Sequence, residues 1–331
     1  MQNQKGRQPR PALPQLHGVL ALDKPSGPTS TACLTAIKRL GQKKIGHAGT
    51  LDPLASGVLV VLLGEATKIA PYVMEGEKTY LGELRLGMTT DTYDIQGAVT
   101  SEAPWEHVGQ AALEAAVAAW TTETEQEVPP YSAAKHQGRP LYELARKGLA
   151  APVKRKQISV FDARLEHIAL PSATFRVRVS AGVYIRSLVH SLGKRLGCGA
   201  VMTALTREAS RPFELRQAHG LEDILADPQS LPGRVIPLEA ALPHWRTVTL
   251  GADAAALVRQ GVRVRAGREA VAGENALLCD EDSRPLALAR AEEADGGHRW
   301  AILRGLFGDP QPARRGGRTV PERTITPNTG G

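Results

Sequence analysis

The best candidate for chemistry in this chain is Asp52, an acidic residue in a glycine-bounded loop. Residues 44–57 read KIGHAGTLDPLASG, so glycines stand on both sides of the carboxylate, where a close ligand or a positive φ costs little. The apolar residues 58–63 follow without polar alternation, which is typical of a strand buried on both faces. Asp52 precedes Pro53, however, and an aspartate before proline usually only starts a turn. From this pair alone, a plain turn is the favoured interpretation.

The elements around this loop must hold it in place. Residues 19–22 are apolar and predict a short strand. Thr29 or Ser30 can cap the helix that follows, and Gly41 ends it. We therefore expect a strand and a helix before the loop and a buried strand after it.

Three more side chains with useful chemistry lie in predicted strands. Tyr80 shares a strand face with Leu84 and Leu86, so its ring points toward the core. Tyr184 and Arg186 are two apart in a predicted strand, so they face the same side and can line one pocket. Taken singly, Tyr80 is typical of a core residue and Arg186 of a surface or phosphate-binding arginine.

The order of the predicted elements favours an α+β fold. Helices are predicted over residues 107–120 and 188–196 and a half-buried strand over residues 175–179, in an order that differs from a regular parallel βαβ repeat. A proline-marked connection around residues 237–247 precedes short strands separated by glycine and charged turns. We expect a small β-rich domain over residues 248–308.

The composition is that of a globular protein with an anionic partner. The 331 residues suit a large domain and a smaller one, and the formal charge of +7 makes nucleic acid the leading candidate partner. The three cysteines form no paired motif, which favours a reducing cytoplasm over a disulfide framework or a cysteine zinc site. No apolar run suits a secretory signal or a membrane span. A basic arm, residues 1–15, and a tail, residues 309–331, are expected to be disordered.

Seven motifs in the same order resemble those of the bacterial tRNA pseudouridine-55 synthases, the TruB family. They are GVLALDKPSGPTS (18–30), HAGTLDPLASG (47–57), GEATK (64–68), KTY (78–80), TTDT (89–92), PPYSAAK (129–135) and GVYIRS (182–187). One such motif is weak evidence, but seven at family-like spacing are specific. The resemblance runs from about residue 18 to about residue 213.

The resemblance implies an architecture. It implies a catalytic domain over residues 16–243, with a mixed, mainly antiparallel sheet and flanking helices. It also implies a PUA-like RNA-binding module over residues 248–308. No sharp motif lies in that second part, so a structural appendage without RNA contact remains the alternative.

The resemblance also implies a site and a substrate. Asp52 is implied as the catalytic residue, with Tyr80, Tyr184, Arg186 and Leu205 around it. The implied reaction is isomerisation of uridine 55 in the T-loop of tRNA, after the base has been flipped out of the RNA. We expect a monomer that needs no protein partner and no membrane.

Three further residues are candidates for RNA binding. His47 resembles a family histidine that contacts the flipped loop, whereas a lone histidine is more often structural. Lys24 and Lys135, near a basic segment over residues 129–156, are candidates for phosphate contacts. Thr206 departs from the family pattern, which often has an arginine there, and this puts an RNA contact at that position in doubt.

The chemistry itself requires a carboxylate and little else. The reaction breaks the N1–C1′ bond of uridine and rejoins the uracil through C5, so nothing is added or lost. An ionised carboxylate beside the anomeric carbon can act as nucleophile or support positive charge, and Arg186 as its partner would keep it ionised. Attack on the sugar, attack on the ring and removal of a sugar proton all remain open, with sugar-centred chemistry favoured.

The sequence predicts neither a cofactor nor a metal. It has no GxGxxG after a strand and no GxxxxGK[ST] loop, and His47 with Asp52 fits no metal-ligand spacing. Three rival functions are a synthase acting on another RNA, an RNA-binding protein with a vestigial site, and a small-sugar glycosidase. The glycosidase lacks a second well-placed carboxylate and leaves the basic segments unexplained.

Overall fold

The computed structural model describes residues 12–306 except 133, 137, 142 and 144–153, with the main chain alone at 135, 136, 139 and 140. The chain divides into two compact units, with the boundary between Arg246 and Thr247. Residues 1–11 and the predicted tail, residues 309–331, lie outside the described part.

Part of the predicted disordered arm is in fact held by the first unit. The Leu13 N–H donates to the Leu40 carbonyl at 2.9 Å, and the Gln42 side chain donates to the Pro14 carbonyl at 2.8 Å. Residues 12–15 are therefore ordered, contrary to the expectation for residues 1–15. Their backbone groups have partners at the end of the first helix, which composition alone does not reveal.

The first unit combines many strands with six α-helices in its described residues. Its helices are α1 (Ser30–Lys38), α2 (Ala70–Met74), α3 (Gln110–Ala118), α4 (Ile185–Leu196), α5 (Leu221–Ala226) and α6 (Leu238–Ala241). Its strands are β1 (Gly18–Lys24), β2 (Ile45–Ala48), β3 (Ser56–Leu63), β4 (Lys78–Leu86), β5 (Met88–Thr90), β6 (Val99–Glu102), β7 (Glu125–Glu127), β8 (Lys135–His136), β9 (Arg139–Pro140), β10 (Arg155–Gln157), β11 (Val160–Ala169), β12 (Ser172–Val179), β13 (Ala200–Ser210), β14 (Phe213–Glu214) and β15 (His219–Gly220).

One large mixed sheet organises this unit. Its strands follow the order β11-β12-β4-β13-β3-β1-β15, with β14 beside β13 and β2 beside β3. The pairs β13–β3 and β1–β15 are parallel, and the other pairs are antiparallel. The predicted α+β fold with a mainly antiparallel sheet is confirmed.

The predicted elements next to Asp52 form as their residues suggest. Residues 58–63 of β3 are at most 1% exposed, as expected for a strand covered on both faces. The hydroxyl of Thr29 caps α1 by accepting from the Ala32 N–H at 3.1 Å. At the other end of the unit, α4 ends at Gly197, whose φ of 79° is left-handed. The Asp52 loop itself lies between the paired strands β2 and β3, which fix its two ends.

The strand predicted across Tyr184 and Arg186 is wrong. Tyr184 is extended, but it precedes α4, which begins at Ile185 and carries Arg186 in its first turn. The N–H groups of Ser187 and Leu188 both donate to the Tyr184 carbonyl. Val183 and Ile185 are buried on either side of Tyr184, so the local pattern at this helix start has the period of a strand.

The second unit is a small antiparallel sheet with one helix in its described residues. It contains β16 (Arg246–Thr249), α7 (Ala252–Arg259), β17 (Val264–Arg265), β18 (Asn275–Cys279), β19 (Pro285–Ala294) and β20 (Gly297–Gly305). The strand order is β16-β18-β19-β20-β17. Leu278, Ala289 and Trp300 lie in its core. The predicted β-rich character of this part is confirmed.

Leu59 tests whether β3 anchors the first unit. Its side chain is 0% exposed, so we expect Leu59→Ala to lower the free energy of unfolding by about 2–5 kcal/mol. Leu225, 39% exposed, provides the control, because Leu225→Ala should change it by about 0.5 kcal/mol or less. Urea denaturation of both variants gives the comparison. Equal losses would mean that β3 is not a special anchor.

Candidate active site

A cavity of about 380 Å³ in the first unit brings together five of the predicted site residues. Its lining includes Asp52, Tyr80, Tyr184, Arg186 and Leu205. They come from a loop, from two sheet strands and from the start of α4, so only the tertiary fold joins them. The candidate RNA-binding residues His47 and Lys24 are not part of this lining.

An ion pair between Asp52 and Arg186 forms one wall of the cavity. Arg186 Nε lies 2.9 Å from Asp52 Oδ2. The Arg186 side chain is 5% exposed, whereas that of Asp52 is 40% exposed. The buried member of the pair is therefore the guanidinium and not the carboxylate. The carboxylate remains open to a ligand.

The guanidinium of Arg186 is fixed by further oxygen atoms. Nη1 donates to the Thr92 carbonyl at 2.7 Å, and Nη2 donates to the Tyr131 carbonyl at 3.1 Å. A second carboxylate, that of Asp94, lies 3.7 Å from Nε. A planar guanidinium held at several points cannot rotate without losing these contacts, so it presents Nε to Asp52 in one direction.

All seven main-chain carbonyls from Gly49 to Ala55 accept hydrogen bonds. The donors are the guanidinium of Arg207, the hydroxyls of Ser26 and Ser30, the ammonium of Lys24, and the N–H groups of Gly27 and Ala55. A loop with every carbonyl satisfied has little freedom to change conformation. The rigidity of Asp52 comes from these donors.

Lys24 is a structural lysine and not a phosphate-binding one. It is 0% exposed, and its Nζ donates to Ala55 O at 2.6 Å, Pro25 O at 2.9 Å and Pro53 O at 3.5 Å. All three ammonium hydrogens thus have acceptors within the protein. Burial lowers the pKa of Lys24. The sequence-based prediction of a phosphate contact is corrected accordingly.

Arg207 is a second buried cation, and the sequence analysis missed it. It is 1% exposed and donates from Nε to Val58 O at 2.7 Å, from Nη2 to Gly49 O at 2.8 Å and from Nη1 to Thr50 O at 3.4 Å. It is two positions after Leu205 on β13, so both side chains face the cavity side of the strand. Its position two residues after the predicted pocket residue Leu205 was the feature of the sequence that could have identified Arg207 as a site residue.

The aromatic residues and Leu205 supply the apolar part of the cavity. Tyr80 and Leu205 are each 7% exposed, and Tyr184 is half-buried. Burial raises the pKa of Tyr184, so this phenol stays protonated at neutral pH. Two rings and an aliphatic side chain beside an ion pair suit a flat ligand with a polar edge.

Gln126 positions Tyr184 through both of its main-chain groups, and the sequence analysis missed it. Its Oε1 accepts from the Tyr184 N–H at 2.6 Å, and its Nε2 donates to the Tyr184 carbonyl at 3.2 Å. The Gln126 side chain thereby pairs with Tyr184 as a strand neighbour would. Gln126 is 6% exposed and lies on β7, so these bonds are shielded from water.

His47 and Lys135 do not join the described site. His47 lies on β2 and is half-buried, and its Nδ1 has no hydrogen-bond partner in the described residues. Burial and the nearby charge of Arg207 lower its pKa, so it is neutral at pH 7. The side chain of Lys135 lies outside the described part, as do residues 133, 137, 142 and 144–153 of the basic segment.

Two negative findings hold for the residues that the structure describes. They contain no group of three or more histidine, cysteine, aspartate or glutamate side chains arranged to hold a metal ion. None of their helices combines the length and the apolar character needed to cross a membrane.

Two family models match adjoining segments of the chain, which together cover residues 38–243. The model described as TruB family pseudouridylate synthase (N terminal domain) matches residues 38–185. The model described as tRNA pseudouridylate synthase B C-terminal domain matches residues 186–243. The chain belongs to the TruB family. The matched residues include every lining residue of the cavity and all strands of the large sheet except β1. The match confirms the predicted family and enzyme class.

Similar proteins agree with this assignment. tRNA pseudouridine synthase B of Nitratidesulfovibrio vulgaris is 55% identical over 88% of this TruB-family chain and 99% of its own. Its counterpart in Oleidesulfovibrio alaskensis is 53% identical over 89% and 98% of the two chains. A chain in the crystal structure of a Cbf5-Nop10-Gar1 complex superposes with a TM-score of 0.64 and 26% identity, covering 88% of this chain and 85% of that one.

The role of Gln126 can be tested by comparing two substitutions. Gln126→Leu removes both bonds to Tyr184, and we expect pseudouridine formation to slow about tenfold or more, because small misplacements of site groups cost this much. Gln126→Glu keeps the acceptor but loses the donor until the carboxyl is protonated. Its activity relative to wild type should therefore rise as pH falls from 7 to 5.

Thermal denaturation of both variants checks that they fold. If Gln126→Glu shows the same pH profile as Gln126→Leu, the donor bond to the Tyr184 carbonyl does not matter for the site.

Proposed function

We propose that this chain converts uridine 55 in the T-loop of tRNA to pseudouridine. The observation that carries the proposal is the exposed carboxylate of Asp52, held 2.9 Å from a buried Arg186 in the cavity wall. The relatives that match almost the whole chain bear the name tRNA pseudouridine synthase B, which supports tRNA as the substrate. The position 55 rests on the motif resemblance.

Asp52 is the proposed nucleophile or base. Arg186 holds the carboxylate through the 2.9 Å contact of its Nε and aims it at the sugar of the bound nucleotide. As the N1–C1′ bond breaks, its electron pair goes to the uracil, and the carboxylate supports the positive charge at C1′. The uracil then turns, C5 forms the new bond to C1′, and the C5 proton leaves for N1 through solvent or a side chain.

The apolar residues hold the base during this turn. A flipped uracil fits between Tyr80, Tyr184 and Leu205, and stacking on an aromatic ring leaves it free to rotate in its own plane. The Tyr80 hydroxyl is a candidate for relaying the C5 proton. The cavity of about 380 Å³ has room for one nucleoside but not for a stretch of stacked bases.

The remaining parts of the chain are assigned roles in RNA binding. His47 contacts the RNA loop from which the target base is flipped, and its neutral ring avoids the cost of burying a charge. The second unit acts as a PUA-like RNA-binding module. The enzyme works as a cytoplasmic monomer without cofactor, metal or protein partner.

The target position can be tested directly. Purified protein is incubated with an unmodified tRNA transcript, without cofactor and in the presence of a chelator, and pseudouridine is mapped along the RNA. We expect product at position 55 and nowhere else. Product at other positions but not at 55 would refute uridine 55 as the target, while pseudouridine formation would remain the reaction.

The role of Asp52 is tested by Asp52→Asn. This change removes the negative charge with almost no change in volume, and we expect turnover to fall by at least about 10⁴-fold, because the nucleophile is lost. The Kd for tRNA should stay within about threefold of wild type. Near-normal turnover of this variant would mean that Asp52 is not catalytic and only starts a turn, as an aspartate before proline usually does.

A further inference from the structure

The cavity carries an excess of positive charge. Four cationic side chains contribute to its lining, against two acidic ones, Asp52 and Glu75. The cations are Lys78, Lys156, Arg186 and Arg207. Since like charges gathered at one cavity repel each other, this arrangement favours an anion at the same place.

Three of the four cations are already committed to protein oxygens. Arg186 pairs with Asp52 and two carbonyls, and Arg207 is bonded to three carbonyls. Lys78 is 4% exposed, and its Nζ donates to Met74 O and Gly76 O, both at 2.5 Å. These groups shape the wall, and their hydrogens point into it.

Lys156 differs from the other three. It lies on β10 and is exposed, and in the described part of the chain its Nζ makes a single hydrogen bond, to Gly182 O at the long distance of 3.4 Å. An ammonium group has three donors, so most of its capacity is available to a ligand. Lys156 is thus the cation of the lining that a ligand can engage without breaking the wall.

Gly182 makes room for this ammonium at the cavity. Its φ of +79° is left-handed, and a Cβ added there would lie 2.0 Å from Lys156 Nζ. Any side chain at 182 would push Lys156 away from the lining. Gly182 is also two residues before Tyr184, so the lysine is brought next to the segment that carries the proposed base contact.

The charge of Lys156 is felt inside the cavity. Burial and, to a smaller extent, the charges of Arg207 and Lys156 together lower the pKa of Lys78 to about 8. Lys156 therefore adds to the positive potential at the buried ammonium of Lys78. An anion beside Lys156 would relieve it, and a phosphate of the RNA backbone is the anion that a bound nucleotide brings.

We propose that Lys156 binds a backbone phosphate adjoining the flipped nucleotide and so anchors it at the mouth of the Asp52 cavity. This inference rests on the proposed function, because it takes RNA as the ligand. The contact fixes the position of the sugar–phosphate chain while the uracil turns. It contributes to binding rather than to the bond changes themselves.

The test uses the full-length protein, a tRNA transcript and a salt titration. Lys156→Met keeps the aliphatic stem and removes the charge. We expect the slope of log K against log salt concentration to become shallower by about 0.7–0.9, the value for one phosphate contact. KM for the transcript should rise about tenfold with kcat within about twofold, and Lys156→Arg should restore most of the affinity.

Arg155 provides the matched control. It is the adjacent residue of β10, its side chain is 66% exposed, and it pairs with Glu125 and Glu127. Arg155→Met removes the same charge from the opposite face of the strand, so its effect on the salt slope should be clearly smaller. Equal effects of the two substitutions would mean general electrostatic attraction and would overturn the proposal.

Two other outcomes are informative. A Lys156→Met variant with an unchanged salt slope and a lower kcat would show that the lysine acts on the base, which refutes a phosphate contact. If the wild-type protein forms no pseudouridine but the Lys156→Met slope still changes, the proposed function fails while the phosphate contact stands. Thermal denaturation confirms that the compared variants fold.

Discussion

The site depends on the hydrogen bonds that buried donors make to the main-chain carbonyls of the loop that carries Asp52. Two of these donors carry full positive charges, Lys24 and Arg207, and both are almost completely withdrawn from water. Burying a cation is costly unless its hydrogens are met by acceptors. Here four of the six acceptors are carbonyls of the loop that carries Asp52, so the loop conformation and the burial of the two cations stabilise each other. The position of Asp52 is fixed because the loop and the two buried cations stabilise each other.

The strand order of the sheet brings Lys24 and Arg207 to the Asp52 loop. β3 lies between β1, which supplies Lys24, and β13, which supplies Arg207. The parallel contact of β13 with β3 places Arg207 opposite Gly57, where a Cβ would come within 2.4 Å of the Arg207 carbonyl. The glycine after the loop therefore serves the approach of two strands. The sequence analysis had instead connected the glycines of this loop with close ligand approach.

Local patterns predicted the elements well and their polar connections poorly. The continuous apolar run of β3, the capped helix α1 and the inward face of Tyr80 follow from periods that a short window contains. Lys24 was misinterpreted because a lysine beside a polar turn is normally solvated, and only a loop some 30 residues later in the chain removes it from water. Arg207 and Gln126 were missed for the same reason, since a hydrogen bond between distant residues leaves no periodic trace. The family resemblance named Arg186 as the partner of Asp52, but it did not show that the arginine is the buried member.

Asp94 gives the Asp52–Arg186 pair an additional property. Arg186 lies between two carboxylates, one of them exposed and the other 8% exposed with its Oδ1 held by Thr92 and Gln96. When the exposed carboxylate turns from the guanidinium to another partner, the inner one remains as a counterion. The buried cation is then never left without a negative neighbour, and the electrostatic penalty for releasing the outer carboxylate is reduced. Arg186 thus keeps one lasting carboxylate partner, Asp94, while its other partner, Asp52, can exchange the guanidinium for a ligand.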